Sequence, residues 1–260
     1  MNRPAAVLNT TYAAIELRRV SRDLVSLFFI AGLPAVLYLI FGSSAEDSAV
    51  RVGDGNVAFY VMVSMAAYGA VTATTGVGGM AAVERMQGWG RQLGLTPMSD
   101  AGFVVVKTFV SFAIAVVPIA LIYLLGGLTG AEADPSSWLI SGLVVLAGAA
   151  VFSLYGLAVG LMFRSEGAVS AASGSLVILA FLGNVFFPLS GLMLDIARFT
   201  PLYGYVALAR YPITGGELVS ATGPTSETDP LWLPVLNLVV WAIIFAGLAV
   251  WLVRRGRGRQ

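Results

Sequence analysis

The chain has 260 residues, 58% of them hydrophobic and only 11% charged, with a formal net charge of +1. A soluble domain is about half apolar and about a quarter charged, so a soluble single domain is excluded, and so is a disordered chain. Cysteine and histidine are both absent, which removes disulfides, thiol nucleophiles, Cys/His metal sites and histidine acid–base chemistry together.

Residues 1–23 place Leu8, Tyr12 and Ile15 at helical spacing, followed by Arg18, Arg19 and Arg22. An apolar stripe with arginines just before a span predicts an amphipathic helix in the headgroup plane. It reads either as a plain anchor or as a lever against a cytoplasmic partner. Six charge-free windows follow, at 24–42, 57–80, 108–126, 138–162, 168–194 and 235–253. Crossing a bilayer core takes about 20 apolar residues in a helix. The expected fold is therefore all-α: a polytopic membrane protein with six transmembrane helices forming one domain over 1–260. The first window is no cleaved signal peptide, because it is too long and five more spans follow.

Basic residues set the orientation. Twelve of the 15 flank the spans on the side that carries both termini, and nine of the 14 acidic residues lie on the other side. Both termini are expected in the cytoplasm, which an even number of spans requires. The tail RRGRGRQ reads as an anchor for anionic lipid headgroups. The charge total says nothing about nucleic acid, and none is expected as a partner.

The loop 81–102 between spans two and three includes ERMQGWGRQLGLTPMSD from Glu84 to Asp100. Gly88, Gly90 and Gly94 each weaken a helix by about 1 kcal/mol, and Pro97 disfavours helix at Thr96. The expectation is a compact knob bearing Met86, Trp89 and Leu93. Exposed Trp and Met beside Arg and Glu suit a protein contact, although Trp89 also fits a headgroup belt. The only lysine, Lys107, is expected to snorkel to the interface. No glycine turn precedes it, so the chain has no phosphate-cradling loop of its own. Gly156 and Gly160, with Ser153 and Ala149, form a small-residue face for internal packing or for a dimer seam. Pro34, Pro118 and Pro188 are expected to kink their helices. Asn184 is the most unusual polar residue within a window. With Phe186, Phe187 and Pro188 it reads as the wall of a translocation path, or as a helix–helix hydrogen bond beside ordinary aromatic packing. The outer stretch 195–234 is the longest segment on its side. No catalytic residue and no metal site is expected, since no window holds a carboxylate or a nucleophile with its base.

Two patterns carry a family resemblance. One is Glu84-Arg85-x-x-Gly88 followed by Leu95-Thr96-Pro97. The other is Phe187-Pro188-Leu189-Ser190-Gly191 followed by Thr200-Pro201-Leu202-Tyr203 and Ala207-Leu208-Ala209-Arg210. Together with the length and the six spans, they resemble the ABC-2 family of transporter permeases, the membrane-spanning subunits of bacterial ABC exporters. The chain departs from the usual family pattern at Gln87 and at Trp89-Gly90. The resemblance implies an N-terminal interfacial helix, and short re-entrant helices after span five that include Pro201, Tyr203 and Arg210. It also implies a coupling loop that docks on an ATPase. Glu84, Arg85, Gly88 and Pro97 would shape that contact, and the chemistry of Met86, Trp89 and Arg91 adds them to it. The implied assembly is two ATPase subunits and a second permease copy, identical or homologous, in the bacterial inner membrane. This chain itself would bind no cofactor, with ATP and Mg held in the partner. The implied cargo is a hydrophobic or amphipathic solute: a drug, antibiotic, peptide, lipid or glycan. The alternative is an ATP-independent secondary transporter or channel.

Overall fold

The computed structural model describes residues 10–86, 100–163, 166–220 and 223–257. Helix α1 (Thr10–Arg22) leads into α2 (Leu24–Ser43), whose wide π-type turns at Phe28–Gly32 and Leu39–Ser43 flank Pro34. A two-residue pairing, β1 (Arg51–Val52) with β2 (Gly55–Asn56), turns the chain into α3 (Val57–Met86). Next come α4 (Asp100–Leu128), which contains Pro118, α5 (Pro135–Phe163) and α6 (Glu166–Leu182). Two short helices follow, α7 (Gly191–Ala197) and α8 (Pro201–Thr214). A hairpin of β3 (Glu217–Ser220) and β4 (Gly223–Thr228) then leads to α9 (Trp232–Arg257). The chain is a helical multi-pass membrane protein, with two small hairpins that the sequence did not predict. The end of the molecule nearest residues 87–99 is the basic side, and the opposite end is the acidic side.

Among the described residues five helices are long and apolar enough to cross a membrane: Leu24–Ser43, Val57–Glu84, Phe109–Leu128, Pro135–Phe163 and Trp232–Leu252. The window at 168–194 behaves differently from its prediction. Its helix stops at Leu182, leaving only a shorter apolar stretch, Ser170–Leu182. The stop has a local cause: Asn184 takes a left-handed backbone (φ 59°), and Pro188 follows it. A left-handed residue ends an α-helix, and proline cannot donate to one.

Helix α3 is the central post. Of its apolar window 83% is buried within the chain, against 11% for α9, which faces outward. Its 30 residues make it about 45 Å long, more than the roughly 30 Å of a bilayer core, so it carries polar residues beyond the apolar layer. It crosses α5 at backbone contact. A Cβ on Gly78 would strike the Ser153 carbonyl, one on Gly156 the Thr75 carbonyl, and one on Gly160 Ala82 and Gly79. Thr75 adds a hydroxyl bond to the Phe152 carbonyl at 3.3 Å. The Gly156/Gly160 face is therefore an internal seam, because lipid gives no hydrophobic drive and close approach supplies the attraction.

On the acidic side Asn56 joins three turns. Its amide nitrogen donates to Gly130 O (2.8 Å), and its amide oxygen accepts from Phe59 N (2.9 Å) and Glu132 N (3.0 Å). Asp54 N donates to Ile213 O (2.9 Å) and Ser137 Oγ to Pro212 O (3.2 Å). These bonds fasten the α2–α3 and α4–α5 turns to the end of α8.

Of the stripe expected on α1, Tyr12 faces inward and Ile15 outward. Ile15 is 60% exposed, and Leu8 lies outside the described residues. The inward face is Tyr12, Ala13, Glu16, Leu17 and Val20. Its apolar members pack with Ala73 and Val77 of α3 and Val106 and Val110 of α4.

Gly156→Val forces a branched side chain into a backbone contact, and overpacking of this kind costs about 1–3 kcal/mol or more. The expected result is a melting temperature in detergent several degrees lower, or aggregation. Gly174→Ala is the control, since a Cβ there meets nothing within 4 Å and Ala is the better helix former. It should match or exceed the parent in the same measurement.

Candidate functional site

Residues 87–99 join the basic-side ends of α3 and α4. Glu84 stands in the last turn of α3, and Lys107 about two turns into α4. Lys107 Nζ lies 2.6 Å from Glu84 Oε2 and 2.9 Å from Glu16 Oε2 of α1. Arg19 of α1 completes the set, with Nη2 2.9 Å from Glu84 Oε1 and 3.6 Å from Glu16 Oε2. Glu16, Glu84 and Lys107 are buried, while Arg19 is about half exposed. Two carboxylates and two cations sum to zero, and a buried charge is tolerated only with such pairing. The Lys107 ammonium also lies 5.6 Å from the Tyr12 ring centroid. Burial, then the charges of Glu16 and Glu84, raise the Tyr12 phenol, so it stays a neutral hydroxyl. Burial pulls the Arg19 guanidinium down, but Glu16 and Glu84 outweigh it and leave it raised.

The cluster is a clamp. It ties the ends of α3 and α4 that flank residues 87–99 to each other and to α1. Of the predicted loop contacts, Glu84 turns its carboxylate inward to α1 and α4. Arg85 and Met86 close α3, with side chains outside the described set, and Gly88, Trp89, Arg91 and Pro97 lie outside the described residues. Lys107 does not reach along the interface as expected, because two buried carboxylates hold it inward. The sequence reading missed Glu16, Arg19 and Lys107 as partners of Glu84. The available signal was Tyr12 and Glu16 at i, i+4 on one face, and a lone lysine in an apolar run.

A second polar centre lies on the acidic side. Arg210 of α8 is buried, and all five of its N–H groups have acceptors. Nε donates to Ser64 Oγ (2.8 Å). Nη1 donates to Tyr60 Oη (2.8 Å) and Asn184 O (2.8 Å), and Nη2 to Val185 O (3.1 Å) and again to Ser64 Oγ. The guanidinium carbon sits 3.9 Å from the Tyr60 ring centroid, a cation–π contact. Ser64 Oγ itself donates to the Tyr60 main-chain carbonyl at 2.6 Å. No described carboxylate pairs with Arg210.

The predicted path residues divide here. Asn184 forms the turn, its amide oxygen accepting from Leu189 N at 2.9 Å. Phe186 packs against Tyr68 and Phe181, with ring centroids at 5.0 and 4.9 Å. Phe187 is half exposed against Phe41, and Pro188 is half-buried. Pro201 is buried at the first turn of α8, where its missing N–H costs nothing. Tyr203 donates its hydroxyl to buried Asp229, which also accepts from Arg198 at 2.8 Å. A small cleft brings Asn184, Tyr203 and Arg210 together with Tyr60, Glu217 and Asp229. Among the described residues no group of His, Cys, Asp and Glu could hold a metal ion. Both centres join helices to one another.

Comparison with known proteins agrees with this architecture. Residues 42–251 match the model of the ABC-2 family transporter proteins. Over 245 residues the chain is 26% identical to the Bacillus subtilis (strain 168) protein named "Putative transport permease YvfS", covering 92% of this chain and 94% of that one. The chain belongs to the ABC-2 transporter family, and it is a membrane transport protein.

Lys107→Met leaves two buried carboxylates with Arg19 alone. Breaking a buried pair costs about 3–5 kcal/mol, so the variant should melt well below the parent in detergent. Adding Glu84→Gln should recover part of the loss, because neighbouring sites in one network are not additive. Single and double variants that add independently would dissolve the clamp.

Proposed function

We propose that this ABC-2 family chain is the permease subunit of an ATP-driven exporter. It forms the path for a hydrophobic or amphipathic solute and is moved by separate ATPase subunits on its basic side. The observation that carries the reading is the clamp. Lys107 and Glu84 flank the loop 87–99 and meet Glu16 and Arg19 of α1. A protein that gripped this loop from the cytoplasm would pull on α1, α3 and α4 together, as a coupling loop requires. Glu84 then acts through Lys107 and Arg19, while Trp89, Met86 and Arg91 are the candidates for touching the partner. The assembly is two permease chains, identical or homologous, with two ATPases that hold ATP and Mg. It sits in the bacterial inner membrane with both termini in the cytoplasm. The short helices α7 and α8 dip back into the outer leaflet, and Asn184, Phe186, Phe187 and Pro188 border the path.

The test begins with isolation of the tagged chain from its native host, where an ATPase subunit should copurify in stoichiometric amount. Trp89→Ala should keep the chain in the membrane but weaken that association. Loss of a buried aromatic anchor costs about 2 kcal/mol, roughly 30-fold in affinity. Full solute flux from this chain alone in liposomes would instead establish an ATP-independent transporter. The orientation is checked separately with an impermeant thiol reagent applied outside the cell. It should label Ser226→Cys and spare Ser99→Cys, and the opposite pattern would invert the topology.

A further inference from the structure

We propose that Arg210 is the latch of the acidic-side gate. It is a positioning residue whose guanidinium seals the break in α6 and releases it when the path opens. The proposal deepens the transport reading above and rests on it.

The argument starts from backbone accounting. Every main-chain polar group in hydrocarbon needs a partner. Were α6 to continue, the Asn184 carbonyl would take the N–H of residue 188, but that residue is Pro188 and has none. The Val185 carbonyl would take the N–H of Leu189, but that N–H goes to the Asn184 side chain at 2.9 Å. Both carbonyls are therefore stranded by the sequence of the turn itself. Arg210 reaches both, at 2.8 Å and 3.1 Å, from another helix 25 or 26 residues further along the chain. Its remaining donors hold Tyr60 and Ser64 of the central post α3. One planar fork thus bolts together α8, the broken end of α6, and α3.

The chemistry of the acceptors makes this bolt releasable. All four are neutral: two carbonyls and two hydroxyls. Releasing them separates no opposite charges, unlike the clamp at the other end. A freed guanidinium also has somewhere to go, since Glu217 lines the same cleft. The α6 turn and the α8 segment are separated by a stretch of loop and short helix, so the break can part from α8 without unwinding a long helix. A lysine could not replace the fork, because one ammonium cannot span both carbonyls and both hydroxyls in a plane.

The chain contains no cysteine, so Val185→Cys introduces a single thiol. The Val185 side chain is buried, and only its carbonyl meets Arg210, so the substitution spares the latch. The probe is a membrane-impermeant maleimide applied from the acidic side to the chain in proteoliposomes, alone and assembled with its ATPase. With Arg210 present, labelling should be slow at rest and rise about tenfold during ATP turnover, as the open population grows. Adding Arg210→Met should give the fast rate without ATP, and Arg210→Lys should behave like Met rather than like Arg. The latch is overturned if the Met variant is as shielded as its parent, or if transport proceeds while the Arg210 protein stays equally shielded at rest and in turnover. Should the Met variant fail to fold, that second comparison decides alone. If the assembly neither hydrolyses ATP nor transports, the permease reading falls and takes the gate with it. In that event the resting rates with and without Arg210 still report whether the guanidinium seals the turn.

Discussion

Hydrocarbon offers no partner to a backbone N–H or C=O, and the layout of this protein follows from that constraint. Wherever the chain stays helical the need is met locally. Where it leaves the helix, other main-chain groups meet part of the need, and at several turns a side chain supplies the missing partner. The three asparagines among the described residues all do this. Asn56 serves the turns around Gly130 and Glu132, Asn184 serves Leu189, and Asn237 donates to Arg198 O and Thr200 O at the corner between α7 and α8. Trp241 closes the same corner by donating to Phe199 O at 3.0 Å. An amide has both a donor and an acceptor, so it can serve turns of either polarity. Arg210 extends the pattern with five donors where two carbonyls are left over.

The two ends of the molecule satisfy their buried polar groups in opposite ways. On the basic side, two carboxylates and two cations neutralise one another across three helices. Such a set resists separation, because removing one member strands a charge. It suits a joint that has to transmit force without opening. On the acidic side, one cation is held by neutral oxygens. Each such bond from a charged donor is worth about 1.5–3 kcal/mol, and on the proposed reading water or Glu217 takes the place of the set when it is released. It suits a joint that opens and closes. This difference in chemistry, rather than in the number of contacts, is what the proposed roles of the two ends, coupling on the basic side and gating on the acidic side, are built on.

Much of this was legible in the sequence, and the failures have physical reasons. Charge-free windows marked the spans because desolvating a charge costs more than any local preference. Asn184 stood out as a polar group within an apolar window and Pro188 as a kink, but their spacing was not read as a helix stop, because the window continued apolar on both sides. The Gly156 and Gly160 face was legible as a packing face, though not its partner. Gly78 on α3 looks like loose helix until the two backbones are seen to touch. The clamp was hidden most completely. Glu16, Glu84 and Lys107 are far apart in sequence, and each has a plausible solitary role at an interface. Only the docking of α1 by its Glu16 face shows that they share one buried volume. Of the proposed coupling loop, Gly88, Trp89, Arg91 and Pro97 lie outside the described residues, so their reading rests on residue chemistry and family pattern.

Helix α3 connects the two ends. Glu84 lies near one end, and Tyr60 and Ser64 near the other. The 24 residues from Tyr60 to Glu84 span about 36 Å of helix. Between them the Gly78, Gly156 and Gly160 contacts press α3 onto α5, so these two helices form a stiff pair rather than a hinge. A displacement imposed at Glu84 then arrives at Tyr60 as a movement of the whole post, not as a local bend. Coupling needs an element with two arrangements as well as a rod between them. The turn at Gly183–Pro188 is the natural choice, because its Asn184 and Val185 carbonyls bond to Arg210 and not to the next turn of a helix. The permease reading thus needs little deformation within the core. On that reading the post moves against a turn that sequence has left unfinished, and the Arg210 guanidinium is the group that joins the two.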